Sequence, residues 1–160
     1  MELLIYIGLL SVIIALIGGI FISLNKGRGQ SEAKMEVNSA LNFAMEKITQ
    51  DIHSASAVTT PASGSSETLA ATVSGTATTY CVVSGKLYRQ TGGGECTASS
   101  PALTSDLITI AAPTFTRIEN TNTTLSKTMV SVEITLTASY NSQSPDWQYS
   151  QTKKTTASLR

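Results

Sequence analysis

Residues 3–24 form an unbroken run of 22 residues without a single charge, rich in Ile and Leu. As a helix this run would reach about 33 Å at 1.5 Å per residue, enough to cross a hydrocarbon core of about 30 Å. A cleaved signal peptide would have a shorter apolar stretch, a basic front end and a small-x-small cleavage site. Here the residue before the run is acidic, Glu2, and no Ala-x-Ala follows, so the run reads as a retained membrane span. With 160 residues in all, what remains suffices for one folded domain beyond the span. Over the whole chain 11 Lys and Arg balance 11 Asp and Glu, which argues against a phosphate-binding surface, so no nucleic-acid partner is expected. Lys26 and Arg28 follow the span and no basic residue precedes it, which by the positive-inside rule would place the rest of the chain in the cytoplasm. A Ser/Thr-rich, β-type remainder carrying two cysteines argues for export instead.

After a polar junction, Asn25-Lys-Gly-Arg-Gly29, an apolar repeat of three and four residues returns at Met35, Val37, Leu41, Ala44, Met45, Ile48, Ile52 and Ala55. Glu32, Lys34, Glu36, Asn38, Asn42, Glu46, Lys47 and Asp51 occupy much of the remaining surface. This predicts an amphipathic helix over about 31–56 with one buried stripe, in which Leu41, Met45, Ile48 and Ile52 would hold the head. Lys47 and Asp51 are placed to pair at i,i+4. Gly27 and Gly29 could kink the connection, but a nearly continuous rod from Glu2 to Ser56 is the preferred picture. The division is a membrane helix and junction at 1–30, an amphipathic helix at 31–58, and a β head at 59–160.

Thr59-Thr-Pro-Ala-Ser-Gly-Ser-Ser66 reads as a turn-rich loop. Short β-type runs follow over 68–73, 76–83 and 86–90, with Ser84-Gly85 as a two-residue hairpin turn. Residues 107–110 and 114–118 alternate, and 130–138 alternate cleanly, with Val130, Val132, Ile134 and Leu136 facing a core. The polar tail at 149–159 fits an edge strand. An amphipathic helix followed by antiparallel strands implies an α+β domain in two layers. Cys81 and Cys96 enclose 14 residues; in an exported domain they are expected to form a disulfide, the alternative being two unpaired thiols.

Chemistry-bearing constellations are scarce. One His and two Cys cannot complete a four-ligand zinc site, and His53 has no visible partner triad. Asp106, Asp146 and the loop at 141–145 supply too few acidic ligands for calcium. Gly92-Gly-Gly94 lacks the Lys-Ser/Thr and helix of a phosphate loop. No metal, no cofactor and no enzymatic activity are expected. Asp51 is expected to make a local helix-end or loop contact, and Trp147 and Tyr149 to pack.

The segment Glu2-Leu-Leu-Ile-Tyr-Ile-Gly-Leu-Leu10 resembles the N-terminal region of type IV pilins and pseudopilins. In that superfamily a short basic leader ending in Gly precedes Phe-Thr-Leu-Val-Glu and the same kind of apolar helix. The match begins at the glutamate; Met1 falls where the family usually has Val, Leu or Met. The expectation is that the leader lies upstream of the sequence given, which would also resolve the conflict over orientation. Leu41-Asn-Phe-Ala-Met-Glu-Lys-Ile-Thr-Gln-Asp-Ile-His-Ser-Ala55 resembles the end of the long helix in minor pilins and J-type pseudopilins, with His53 where that family usually has Arg. Pro101-Ala-Leu-Thr104, the strand ending in Phe115 and the final Thr-Ala-Ser-Leu-Arg160 continue the likeness, so it covers nearly the whole chain.

The resemblance implies a pilin-like fold, a long N-terminal helix packed on an antiparallel β-sheet. It implies a structural subunit, minor in abundance, of a type IV pilus or a type II secretion pseudopilus. Its partners would be the membrane, other pilin or pseudopilin subunits, and a prepilin peptidase with its assembly machinery. Glu2 would pair with the N-terminal amine of a neighbouring subunit. Gly18 and Gly19 would soften the helix where the family often carries Pro, or else allow close helix–helix contact. The protein would sit in the inner membrane with its head outside the cytoplasm. The competing reading is a membrane-anchored binding or adhesion domain that never polymerises.

Overall fold

The computed structural model describes residues 2–124 and 126–159, with the side chains of Glu2, Leu4 and Asp146 excepted. One helix, α1 (Glu2–His53), runs for 52 residues, about 78 Å at 1.5 Å per residue. No proline interrupts it, since the first in the chain is Pro61. Gly27 and Gly29 do not break it. The helix stops where Ser54 turns its side chain on the backbone: its N–H donates to the Gln50 carbonyl at 3.1 Å and its hydroxyl to the same oxygen at 2.9 Å. The β-branched run Val58-Thr-Thr60 then takes over. Strand β1 (Ala55–Thr60) follows directly, so residues 55–58 belong to the head and not to the helix as the apolar spacing had suggested. Ala55 keeps the burial the periodicity implied, but as a strand residue, and Val58 is buried with it.

The head holds two antiparallel sheets where the sequence suggested one. The first is ordered β1, β3 (Leu69–Val73), β4 (Thr76–Val83), β5 (Lys86–Thr91). Its hairpins turn on Ser74-Gly75 and Ser84-Gly85, all four residues at φ between 49° and 80°, the conformation of the two-residue turns that match strand twist. The second sheet is centred on β8 (Lys127–Tyr140). On one edge β8 pairs with β6 (Ile108–Ile110) and β7 (Thr114–Asn122) in tandem, and on the other with β9 (Ser150–Ser158). A two-residue strand, β2 (Ser65–Ser66), pairs with β7 inside the segment read from sequence as loop. The sheets are joined by a backbone bond from Ile110 N–H to the Gly85 carbonyl, 2.7 Å, and by Arg117 Nη1 on β7, which donates to the Val58 carbonyl of β1 at 2.6 Å.

Alternation along β8 buries Val132, Ile134, Leu136, Ala138 and Tyr140 and turns the residues between them outward. These meet Phe115, Ile108, Leu69, Leu87 and Tyr80 in one core, capped by the second half of α1. Strand β9 runs alongside the helix. Lys153 donates to the Asn42 side chain, and His53 Nδ1 lies 2.8 Å from the Ser158 carbonyl oxygen. The spacing is consistent: the helix between those contacts rises about 16 Å and the strand about 17 Å.

Candidate functional site

Three parts of the molecule carry functional weight: the bare half of α1, the seam where its other half meets the head, and the junction between them.

The bare half is residues 3–24. Its large apolar side chains are exposed on every face, from Leu3 at 70% to Leu24 at 62%. A soluble helix presents one apolar stripe; one that is apolar all round needs a lipid or protein surround. The helix is long and apolar enough to cross a membrane, and it lies near the N-terminus. Gly18 and Gly19 sit within it with nothing within 4 Å of where a Cβ would be, so both offer open surface on a regular helix. Glu2 begins the helix, and its side chain lies outside the described residues.

The seam is the stripe Val37, Leu41, Ala44, Met45, Ile48 and Ile52, all buried under the head. Leu41, Met45, Ile48 and Ile52 therefore lie where the sequence predicts. Met35 does not: it is 70% exposed. At 100° per residue it sits about 200° round the helix from Ala33 and Val37, and the buried line passes through Ala33 instead, an alanine too small to register as an anchor.

Within the seam lies a polar cluster that sequence reasoning missed. Asp51 is buried, yet it reaches across to the first sheet. Tyr80 Oη donates to its Oδ2 at 2.6 Å and Arg89 Nε to the same atom at 2.7 Å, while Lys47 Nζ stands 3.6 Å from Oδ1. Burial acts to raise the Asp51 pKa, but the hydrogen bonds from Tyr80 and Arg89 and the charges of Arg89 and Lys47 outweigh it and hold the carboxyl below its ordinary value. Burial and the hydrogen bond to Asp51 push the Tyr80 phenol well above its ordinary value, so it stays a donor. The expected local contact for Asp51 is corrected to a long-range one. Only the i,i+4 pair with Lys47 was legible, because Tyr80 and Arg89 come from the hairpin of β4 and β5. An aspartate on the stripe side of the helix, one turn from Ile48, was the available signal.

Cys81 on β4 and Cys96 beyond β5 are joined by a disulfide with a Cα–Cα distance of 6.1 Å. It ties the Gly-rich loop at 92–94 to the hairpin that carries Tyr80 and Arg89. The outer edge of β5 is covered by the segment at 101–103: Arg89 N–H donates to the Pro101 carbonyl at 3.0 Å and Leu103 N–H to the Leu87 carbonyl at 2.8 Å.

At the junction, the short 3-10 turn Pro145–Trp147 brings the chain's one Trp down onto α1. The Trp147 indole lies on Gly29 so closely that a Cβ there would overlap the ring. Gly29 is thus a docking position and not a kink. Trp147 also stacks at a tilt with Tyr140, ring centroids 6.2 Å apart. Among the described residues no group of three or more His, Cys, Asp or Glu side chains converges as a metal site would require.

Comparison of the chain with protein-family models, with curated proteins and with solved structures finds no match in any of the three. The functional reading therefore rests on the geometry and on the sequence.

Proposed function

We propose that this chain is a pilin-like structural subunit, minor in abundance, of a type IV pilus or a type II secretion pseudopilus, and that it assembles through its N-terminal helix. The observation that carries the reading is the division of labour along α1. Its first half is apolar and exposed all round, and its second half is clamped along one stripe beneath a two-sheet head. A tether to the membrane needs only the first half. A continuous helix, locked to the head by a buried ion pair, additionally transmits the position of the head to the membrane segment. That is what a subunit needs if it is lifted out of lipid and packed into a filament by force.

In this mechanism residues 3–24 exchange lipid for the equivalent segments of neighbouring subunits. A carboxylate costs on the order of 3 kcal/mol at mid-depth in a bilayer and less toward the interface, where Glu2 stands at the end of the span, and a cationic partner would offset that cost. Its proposed partner is the N-terminal amine of the adjacent subunit, freed by a prepilin peptidase. Gly18 and Gly19 each lower helix stability by about 1 kcal/mol relative to alanine and give the segment a soft point. The head would face outward from the inner membrane, in an oxidising space that suits the Cys81–Cys96 bridge.

The test is Glu2→Ala in cells that assemble the filament. Incorporation should be lost while the disulfide and the thermal unfolding of the head stay as in the parent. Normal incorporation would remove Glu2 from the mechanism. A parent chain that stays monomeric in the membrane fraction under assembling conditions would favour the non-polymerising anchored domain.

A further inference from the structure

The second half of α1 leaves two large apolar side chains uncovered on its back, Met35 and Phe43. At 100° per residue, Met35, Ser39 and Phe43 point on average about 180° from the buried stripe. They line one shallow groove, with Lys34 at the end nearer the span and Glu46 at the far end. The outer face of the second sheet carries two more exposed apolar residues at its distal end, Met129 on β8 and Ile118 on β7. Burial of Val132 and Ile134 turns Lys127, Met129, Ser131 and Glu133 to that face, and Ile118 shares it because it is paired with Ser131.

The two surfaces complement each other. Going away from the span, the groove presents a cation, two apolar side chains astride a serine, and then a carboxylate. β9 runs in the direction of α1, as its contacts with Asn42 and His53 require, and β8 is antiparallel to β9. In the same direction the sheet face therefore presents Glu133, then Ile118 and Met129, then Lys127: a carboxylate, two apolar side chains and a cation. The charged ends lie about 18 Å apart on the helix and about 20 Å apart on the strand. With Lys127 level with Glu46, Met129 and Ile118 fall about 7 Å and 13 Å below it, between Phe43 and Met35, where Ser39 leaves room. Glu133 already pairs with Lys154, and Lys34 lies over the Tyr149 ring. Lys127 and Glu46 form no ion pair among the described residues.

We propose that the distal outer face of the second sheet docks on the back of α1 of a second copy of this chain, with Met129 and Ile118 seated over Ser39 and Lys127 paired with Glu46. The height of the contact follows from the fold. Ser131 is paired with Ser158, whose carbonyl meets His53, so Ser131 stands level with about residue 53 of its own helix. Docked, it stands about 13 Å below Glu46, level with about residue 37 of the neighbour's helix. The neighbour is therefore raised by some 16 residues of helix, about 24 Å. Copies whose residues 3–24 share one flat bilayer stand at equal height and cannot make this contact. Copies staggered along a filament axis can, and because the two faces differ and each step rises, the contact repeats without closing into a ring. Its use in a filament rests on the reading proposed above; the contact itself does not need the filament to be tested.

The full chain is prepared as two variants, Met129→Cys and Ser39→Cys, with Cys81 and Cys96 left in their disulfide. The two are mixed and oxidised in mild detergent, where each span is free to slide past its neighbour, and in phospholipid vesicles, where the spans share one bilayer. The expected result is a crosslinked dimer from the detergent mixture, little from either variant alone, and little from the mixture in vesicles. Lys127→Glu added to the Met129→Cys copy should lower the yield about fivefold, the worth of one exposed ion pair. Glu46→Lys added to the Ser39→Cys copy should restore it, which a merely structural effect of either exposed substitution would not do. Failure of the detergent mixture to crosslink, equal crosslinking by either variant alone, or failure of the charge exchange to restore the yield overturns the contact. Equal yield in vesicles overturns the stagger. Entry of the parent chain into filaments in cells is scored separately: a chain that crosslinks in detergent but never enters a filament refutes the filament reading and leaves the contact standing.

Discussion

Replacing Asp51 by Ala removes the carboxylate oxygen that accepts from both Tyr80 and Arg89. Hydrogen bonds to a charged group contribute about 1.5–3 kcal/mol each, so two of them set an upper bound near 6 kcal/mol. The real loss is smaller, because Arg89 retains 25% side-chain exposure and water can take up part of its charge. Tyr80 is 1% exposed and has no such recourse. Breaking a buried pair by deleting one partner costs about 3–5 kcal/mol, and the low end, about 3 kcal/mol, fits this partly wetted arginine. At about 4 °C per kcal/mol, the melting temperature should fall by about 12 °C. The assay is urea and thermal unfolding of the full chain in mild detergent, followed by near-ultraviolet circular dichroism and Trp147 emission. A second variant sharpens it. Asp51→Ala with Arg89→Met and Tyr80→Phe removes both charges and the stranded hydroxyl, and should recover a large part of the loss, since an apolar replacement of a whole buried polar cluster is close to neutral. If Asp51→Ala costs under about 0.5 kcal/mol, or if the three substitutions simply add, the cluster does not couple helix to hairpin and the reasoning fails.

Acid should erode the same interaction. With its pKa held below the ordinary carboxylate value in the fold, Asp51 contributes stability that is fully present above about pH 4 and is lost as pH falls through its folded value. The urea midpoint of the parent should drop in that range more steeply than that of Asp51→Asn. Ile48 is fully buried, and Ile48→Ala should cost about 3–4 kcal/mol. Phe43→Ala, at a position 53% exposed, should cost under about 0.5 kcal/mol by the same unfolding assay. Replacing Cys81 and Cys96 by Ser, which releases a bridge of sequence separation 15, should lower stability by about 3 kcal/mol. Gly27→Ala, with open space around it, should gain about 1 kcal/mol. Gly29→Ala should not gain that amount, and should shift the Trp147 emission because a methyl there displaces the indole.

The span, the buried stripe and most strands were legible in the sequence, because each is a local periodicity that burial enforces. Leu41, Met45, Ile48 and Ile52 recur at helical spacing, and Val132, Ile134 and Leu136 at strand spacing, and each set has one buried face. The turn at Ser84-Gly85 was legible for a different reason, since few residue pairs tolerate positive φ at both positions. The end of the helix was not. Ala55 continues the apolar repeat, and only pairing with β3 makes it a strand residue. Nor was the split into two sheets visible, because it depends on β8 taking two partners in tandem on one edge. The Asp51 cluster and the seat of Trp147 on Gly29 share that character: each joins residues far apart in the chain, and no local pattern encodes such a meeting.

The proposal that residues 3–24 trade lipid for neighbouring copies or sister subunits is tested most directly by crosslinking through that segment. Single cysteines introduced at Ile13 and Ile17 in the native host would be oxidised, and surface filaments sheared from the cells and analysed. The account predicts span-to-span crosslinked species in the sheared filament fraction. If every copy stays in the membrane fraction as an uncrosslinked monomer, while the filament forms without it, the account is wrong.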